Sequence, residues 1–148
     1  MRTVSRDEEA AHLLQLYDRD PGKIMGEIGF QLSILANRAQ TLLSLAGITI
    51  TVTGFSGAAI ARSGKVAAIL LVLGLVVVLV SGALAITGIL RVRWTTAIAP
   101  SSLEVAVCAA LEVRDAKTVA FDRALRLLVV GLSLYVSSIA LLLLGSLP

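Results

Sequence analysis

The sequence predicts an all-α integral membrane protein: three transmembrane helices, with spans one and three extended into a cytoplasmic helical bundle that includes an N-terminal amphipathic helix. Three observations predict it. Of 148 residues, 57% are hydrophobic and only 16% charged, where a soluble domain runs near ~45–50% apolar and ~25% charged. Aromatic residues make up just 4%, so the excess is aliphatic. The charges are also segregated, leaving three long stretches with none. Such a balance excludes a disordered chain and, with a single cysteine, a disulfide scaffold.

The first 38 residues read as cytoplasmic amphipathic helices. Ser5-Arg6-Asp7-Glu8 has the spacing of a capping box, in which a Ser hydroxyl and a Glu carboxylate satisfy the free amides of a helix start. Ala10, Leu13, Leu14 and Tyr17 then form an apolar stripe on a short helix ending near Asp18. Asp20-Pro21-Gly22 breaks it, with Asp20 placed to cap a second helix and Pro21 at its first position. That helix carries Ile24, Ile28, Leu32 and Leu35 on one face and meets no breaker before about residue 61.

Within it lies the first span, residues 39–61, 23 positions without an ionisable side chain. An outer hairpin, 62–65, leads to the second span, 66–90, and residues 127–148 form the third. Each run exceeds the ~18 apolar residues that mark a spanning helix. Backbone groups cannot stay unpaired in lipid, so the β-like alternation Ile48-Thr49-Ile50-Thr51-Val52-Thr53 is read as helix. The first apolar run begins too deep in the chain for a cleavable leader. Between spans two and three, residues 91–126 form a cytoplasmic loop and helix. Trp94 follows Arg91 and Arg93 as an interfacial anchor. Ser101-Ser102-Leu103-Glu104 has capping-box spacing, and Leu103, Val107, Ala110, Leu111, Val119, Phe121 and Leu125 supply the apolar positions of a helix from about 102 to 145.

Orientation follows from Lys and Arg. Eleven of the 13 lie in the two segments 1–38 and 91–126, together with all ten acidic residues. The excess of positive charge on the cytoplasmic side of membrane proteins sets the N-terminus inside and the C-terminus outside, in the plasma (inner) membrane.

Lipid supplies no hydrophobic drive for helix association, so small residues mark the packing seams. Gly47, Gly54 and Ala61 recur every seven residues in span one, Gly74, Ser81 and Gly88 in span two, and Gly131, Ser138 and Gly145 in span three. Seven is the period of left-handed packing. Three helices bury little surface among themselves, which points to a homo-oligomer or a larger membrane complex. Thr49, Thr53 and Ser56 make a second stripe in span one. It is either a water-facing pore wall or a set of hydroxyls bonded back to the preceding turn.

Chemistry finds little foothold, and no enzyme is expected. His12 and Cys108 are single, the former on a helix surface and the latter a small apolar residue, so a His/Cys metal site lacks ligands. Asp18 and Asp20 flank a helix break and read as caps. The glycines lie within the spans, not in a phosphate loop, and no cofactor is expected. No charge lies inside a span, which excludes proton relays and voltage sensors. Basic and acidic residues are interleaved in the cytoplasmic segments, so nucleic acid is no partner. Arg38, Arg91, Arg93 and Trp94 instead face the headgroups of the lipid bilayer.

At Ala36-Asn37-Arg38-Ala39-Gln40-Thr41-Leu42-Leu43-Ser44-Leu45-Ala46-Gly47, an amphipathic helix passes through a polar-basic junction into a span. A second span follows that ends in a basic cluster. Over residues 24–93 this resembles the small membrane effectors of bacterial nucleotide-signalling defence systems, of the Pycsar and SLATT types. The resemblance implies an oligomer that compromises the inner membrane when triggered. The expected function is therefore that of a non-enzymatic, self-associating membrane scaffold or pore-type effector. The alternative is an accessory subunit of a larger membrane complex.

Overall fold

Local chemistry sets the helix boundaries in the computed structural model, which describes residues 5–62, 64–91 and 102–145. Helix α1 (Arg6–Leu16) starts at Ser5, whose hydroxyl accepts the Glu8 N–H at 3.3 Å while the Glu8 carboxylate accepts the Ser5 N–H at 3.0 Å. This is the reciprocal capping box that the sequence spells. The chain then turns through Asp18 and Arg19, both left-handed at φ 49° and 57°. Asp20 Oδ1 accepts from the Gly22 and Lys23 N–H groups at 2.9 and 3.2 Å. Pro21 opens α2 (Pro21–Arg62), which runs unbroken for 42 residues.

A tight hairpin through Gly64, at φ 154°, reverses the chain into α3 (Lys65–Ala85), which ends in a π-helical turn, Ile86–Leu90. Helix α4 (Leu103–Gly145) has 43 residues. Its first turn closes on Ser102, whose carbonyl accepts the Ala106 N–H at 3.0 Å. A box at Ser101 would start the helix one residue earlier, and Ser101 lies outside the described residues. No strand occurs among the described residues. Three helices are long and apolar enough to cross a membrane: Pro21–Ala58, Lys65–Leu90 and Leu103–Leu144. At 1.5 Å per residue, α2 and α4 are each roughly 65 Å long.

The helices mesh with a 3.5-residue period. On α3 the buried positions Ala67, Leu71, Gly74, Val78, Ser81 and Ala85 recur at alternating spacings of four and three, with Gly82 buried beside them. Helix α4 answers with Ala124, Leu128, Gly131, Tyr135 and Ser138, and α2 with Leu35, Ala39, Leu42, Ala46 and Thr49. A strict seven-residue repeat keeps one seam facing its neighbours only if the helices wind gently left-handed. The central core joins all three helices through Leu35, Ala39, Leu42, Ala46, Val78, Ala85, Ala124 and Leu128.

At the charged end a second core brings Ala10 and Leu14 of α1 against Ile24, Ile28, Val107, Ala110 and Leu111. Here the apolar stripe of α1 finds its partner. Val119 and Leu125, assigned to the same α4 stripe from sequence, face outward instead, 49% and 41% exposed. They fall off the 3.5-residue seam that Leu111, Ala124 and Leu128 follow.

Helices α3 and α4 are antiparallel, and two close approaches fix their register: Gly74 lies on Gly131, and Ser81 on Ala124. Asp122, Arg123 and Arg126 consequently stand level with residues 79–83 of α3. The uncharged run of α3 continues to Leu90, about 10–16 Å further along the axis. The ends of the uncharged runs are therefore not level.

Candidate functional site

Two of the three small-residue seams meet each other. A Cβ placed on Gly74 would lie 2.9 Å from the Gly131 carbonyl oxygen and 3.0 Å from the Tyr135 amide nitrogen. On Gly131 it would lie 2.7 Å from Val78 Cγ2, and on Gly88 2.7 Å from Ala120 Cβ. No side chain fits at Gly74 without backbone retreat. One heptad along, the Ser81 hydroxyl donates to the Ala124 carbonyl at 2.7 Å, across the helix pair. Ser138, fully buried, donates to its own Tyr135 carbonyl at 2.7 Å. Gly145 closes α4.

The first-span seam behaves differently. Gly47 and Gly54 are exposed, and a Cβ on either meets nothing within 4 Å; Ala61 lies in the last turns of α2. Within the protomer Gly47 and Gly54 pack against nothing, because α2 turns its Leu42–Ala46–Thr49 face inward. The hydroxyl stripe beside it is internally satisfied. Thr49 donates to Leu45 O at 2.9 Å, Thr53 to Thr49 O at 2.7 Å and Ser56 to Val52 O at 2.8 Å. Back-bonding of this kind leaves no free donor. Thr49 is also only 7% exposed, while Thr53 and Ser56 are half-buried.

The charged end carries a network that sequence reasoning missed. Arg114, on the inner face of α4, grips Glu9 of α1 with both terminal nitrogens, Nη2 to Oε2 at 2.8 Å. It also donates to Gln31 Oε1 of α2 at 3.2 Å and to Asp115 at 2.7 Å. Arg6 pairs with Asp115 at 3.5 Å, tying α1 to α4 a second time. The hydrogen bonds from Arg114 hold the Glu9 carboxyl below the ordinary carboxylate range, against the opposing pull of burial. One guanidinium thus fastens three helices, the fork geometry in which Arg exceeds Lys. The only signal in the sequence was an Arg within an otherwise apolar face; its partner lies 105 residues away.

Below the π-helical turn, Lys117 Nζ donates to the Ile89 and Arg91 carbonyls at 2.6 and 3.2 Å. It caps a helix end whose last carbonyls lack intrahelical partners. Two grooves flank this level. One, about 250 Å³, lies between α2 and α4 and is lined by Ile34, Arg38 and Thr118 among others. The other, about 280 Å³, includes Thr87, Arg91 and Lys117. Arg38 and Arg91 are exposed; Arg93 and Trp94, assigned with them to the lipid headgroups, lie outside the described residues. His12 is exposed. Cys108 is half-buried, its sulfur 3.9 Å from Asp7 Oδ1. Among the described residues no group of three or more His, Cys, Asp or Glu could hold a metal ion.

Compared with known protein families, characterised proteins and solved structures, the chain matches none.

Proposed function

We propose that this chain is a non-enzymatic membrane scaffold that self-associates in the inner membrane, with its charged three-helix end in the cytoplasm. One observation carries the reading: the sides of the apolar helices are unpartnered. Between Val66 and Val80, every exposed residue of α3 is Val, Ile or Leu. On α4, Val129, Val130, Val136, Leu141, Leu143 and Leu144 are 39–65% exposed. Water disfavours such a surface at about 25 cal/mol per Å²; hydrocarbon accepts it. The charge asymmetry between the two ends supports the orientation.

Of the scaffold and pore forms of this reading, the hydroxyl pattern favours the scaffold. A pore wall built from Thr49, Thr53 and Ser56 would need Thr49 turned toward water, and its hydroxyl is committed to Leu45 O. The resemblance of residues 24–93 to defence-system effectors supplies the other form, in which assembly compromises the membrane after a trigger. The accessory-subunit reading is favoured by a separate observation: Leu16 and Val105 are 60% and 58% exposed at the charged end, where water is the alternative to a protein partner.

Purification from the native membrane in mild detergent, followed by native mass spectrometry, separates these readings. A scaffold gives multiples of the 15.5 kDa chain alone. An accessory subunit arrives with larger proteins in fixed ratio. A monomer that comes with nothing refutes both. Dye release from liposomes tests the effector form: release by wild type that the double variant Thr49→Leu, Thr53→Leu abolishes would restore the pore wall.

A further inference from the structure

Basic and acidic residues alternate along the sequence, but the fold sorts them by depth. Helices α2 and α4 run in parallel, with Ile24 and Ile28 beside Val107 and Leu111 in one core and Leu42 beside Leu128 in the next. Nine of the ten acidic residues fall on α1, in the turn after it, on α2 at Glu27, or on α4 up to Asp115. This is the tip farthest from the uncharged runs. Four described cations accompany them, and three of these, Arg6, Lys23 and Arg114, are in ion pairs there. Nearer the uncharged runs the balance reverses: Arg38, Arg91, Lys117, Arg123 and Arg126 stand against Asp122 alone. Lys117 bonds to the Ile89 and Arg91 carbonyls, which sets Arg91 level with it. Arg114 bonds to Gln31, so Arg38 lies about two turns nearer the spans than Arg114. The five cations thus form a belt about 14 Å deep along α4, from residue 117 to 126. The side chains of Arg38, Arg91 and Arg123 are exposed and have no partner among the described residues. Apolar surface begins at once beyond them, at Leu125, Val129 and Val130, which are 41–56% exposed.

We propose that this belt selects anionic phospholipid, with a phosphodiester headgroup held by Arg38 at the groove between α2 and α4. The proposal rests on the membrane reading above and is independent of self-association. The groove, about 250 Å³, is also lined by Ile34, Thr118 and Arg114. Arg114 has every N–H committed, to Glu9, Gln31 and Asp115. Arg38 is therefore the cation there with donors to spare, and its fork matches the two free oxygens of a phosphodiester. Ile34 beside it is 37% exposed, a surface suited to the start of an acyl chain. The acidic tip does not cancel the belt. Glu112 and Asp115, the nearest acids, are paired with Arg6 and Arg114. Glu104 lies about 20 Å from the level of Lys117, well beyond the ~8 Å screening length of physiological salt. Because belt and apolar helix sides join without a break, the occupant is lipid and not an acidic protein.

The test uses the full chain, with Trp94→Phe, in phosphatidylcholine vesicles. Ile34→Trp puts a fluorophore at the rim of the groove, and Val76→Trp puts one on the exposed side of α3 away from the belt. Phosphatidylglycerol or phosphatidylcholine carrying bromine on its acyl chains is then titrated in as quencher. At position 34 phosphatidylglycerol should bind about five-fold more tightly, the equivalent of ~1 kcal/mol for one cation at a membrane surface. At position 76 the two lipids should quench equally. Arg38→Gln brings position 34 to parity with helicity and thermal transition unchanged, whereas Lys23→Gln at the tip keeps the five-fold preference. Salt at 1 M, where the screening length is ~3 Å, also lowers the preference toward parity. Parity at position 34 with Arg38 in place, or a preference that survives Arg38→Gln or 1 M salt, overturns the Arg38 seat. An equal preference at 34 and 76 overturns its confinement to the belt. Quenching at neither position overturns the membrane reading itself. Should Arg38→Gln misfold, the salt dependence and the comparison of the two positions decide.

Discussion

Gly74→Ala and Gly47→Ala are the same chemical change at two positions of opposite character, and they should move stability in opposite directions. At Gly74 the new Cβ would stand 2.9 Å from a carbonyl oxygen and 3.0 Å from an amide nitrogen, both backbone atoms of α4. Neither can rotate away, so the helices must part by about half an ångström to reach ordinary contact. A gap of 0.5–1 Å forfeits about a quarter to a half of each dispersion well of about 0.1–0.2 kcal/mol. Over roughly 30 atom pairs around the Gly74–Gly131 crossing, that is about 1–2 kcal/mol, in line with measured costs of overpacking. The better helix propensity of Ala returns at most about 1 kcal/mol, so a net loss remains. At Gly47 nothing lies within 4 Å, and only the propensity gain applies. Reversible unfolding by SDS titration in mixed micelles, dilute enough to separate copies, followed by far-UV circular dichroism, measures both. The propensity gain is common to both, so the two variants should differ by the packing cost, about 1–2 kcal/mol. Agreement within about 0.5 kcal/mol would refute the close-packed register of α3 on α4.

Four further outcomes follow from the same geometry. Ser81→Ala removes the interhelical bond to Ala124 and should cost about 0.6 kcal/mol, up to about 1.7, the range of such bonds in membrane helices; the same titration reads it. Tyr135 is 7% exposed and its hydroxyl has no partner, so Tyr135→Phe should raise the unfolding free energy by about 1 kcal/mol or more, and a lowered value would mean that the hydroxyl is satisfied. Glu9 has a folded-state pKa below its ordinary 4.5, so its bond to Arg114 stabilises above the unfolded value and fades as pH falls through the folded one. Amide-exchange protection of α1 should therefore drop below about pH 4.5 in wild type, from a level that Glu9→Gln never reaches. Arg19 sits at φ 57°, where a side chain costs about 1–2 kcal/mol, so Arg19→Gly should stabilise the α1–α2 turn in a thermal melt.

Helix boundaries were legible because caps and breakers act within a turn: Ser5 with Glu8, and Asp20 with Pro21, announce themselves locally. The heptad of small residues was legible too, but not which seam would meet which. Gly74 and Gly131 pair with each other, and that pairing leaves the Gly47–Gly54 line outward; nothing local to α2 distinguishes the two cases. The Arg114 fastening was invisible because its partners come from α1 and α2, far away in sequence. The left-handed Arg19 and the π-helical turn at Ile86–Leu90 likewise answer to how neighbouring helices close, not to their own residue types.

The uneven register of α3 and α4 bears on the membrane as much as on the protein. On the membrane reading, a leaflet that meets α4 at Arg126, whose side chain is 78% exposed and paired with Asp122 at 2.6 Å, meets it well short of where it would meet α3 at Arg91. One molecule then asks for two hydrocarbon thicknesses on opposite flanks, and a flat bilayer satisfies only one. Lipids beside α4 must thin, or the two arginines must reach upward to the headgroups. Each copy would thus imprint a step in the inner leaflet, and neighbouring copies could share that step and lower its cost. Thermal stability in vesicles of graded acyl-chain length should accordingly peak at chains shorter than the span of α3 alone requires. A peak at the length matched to α3 would mean that the leaflet follows α3 and the arginines bend to it.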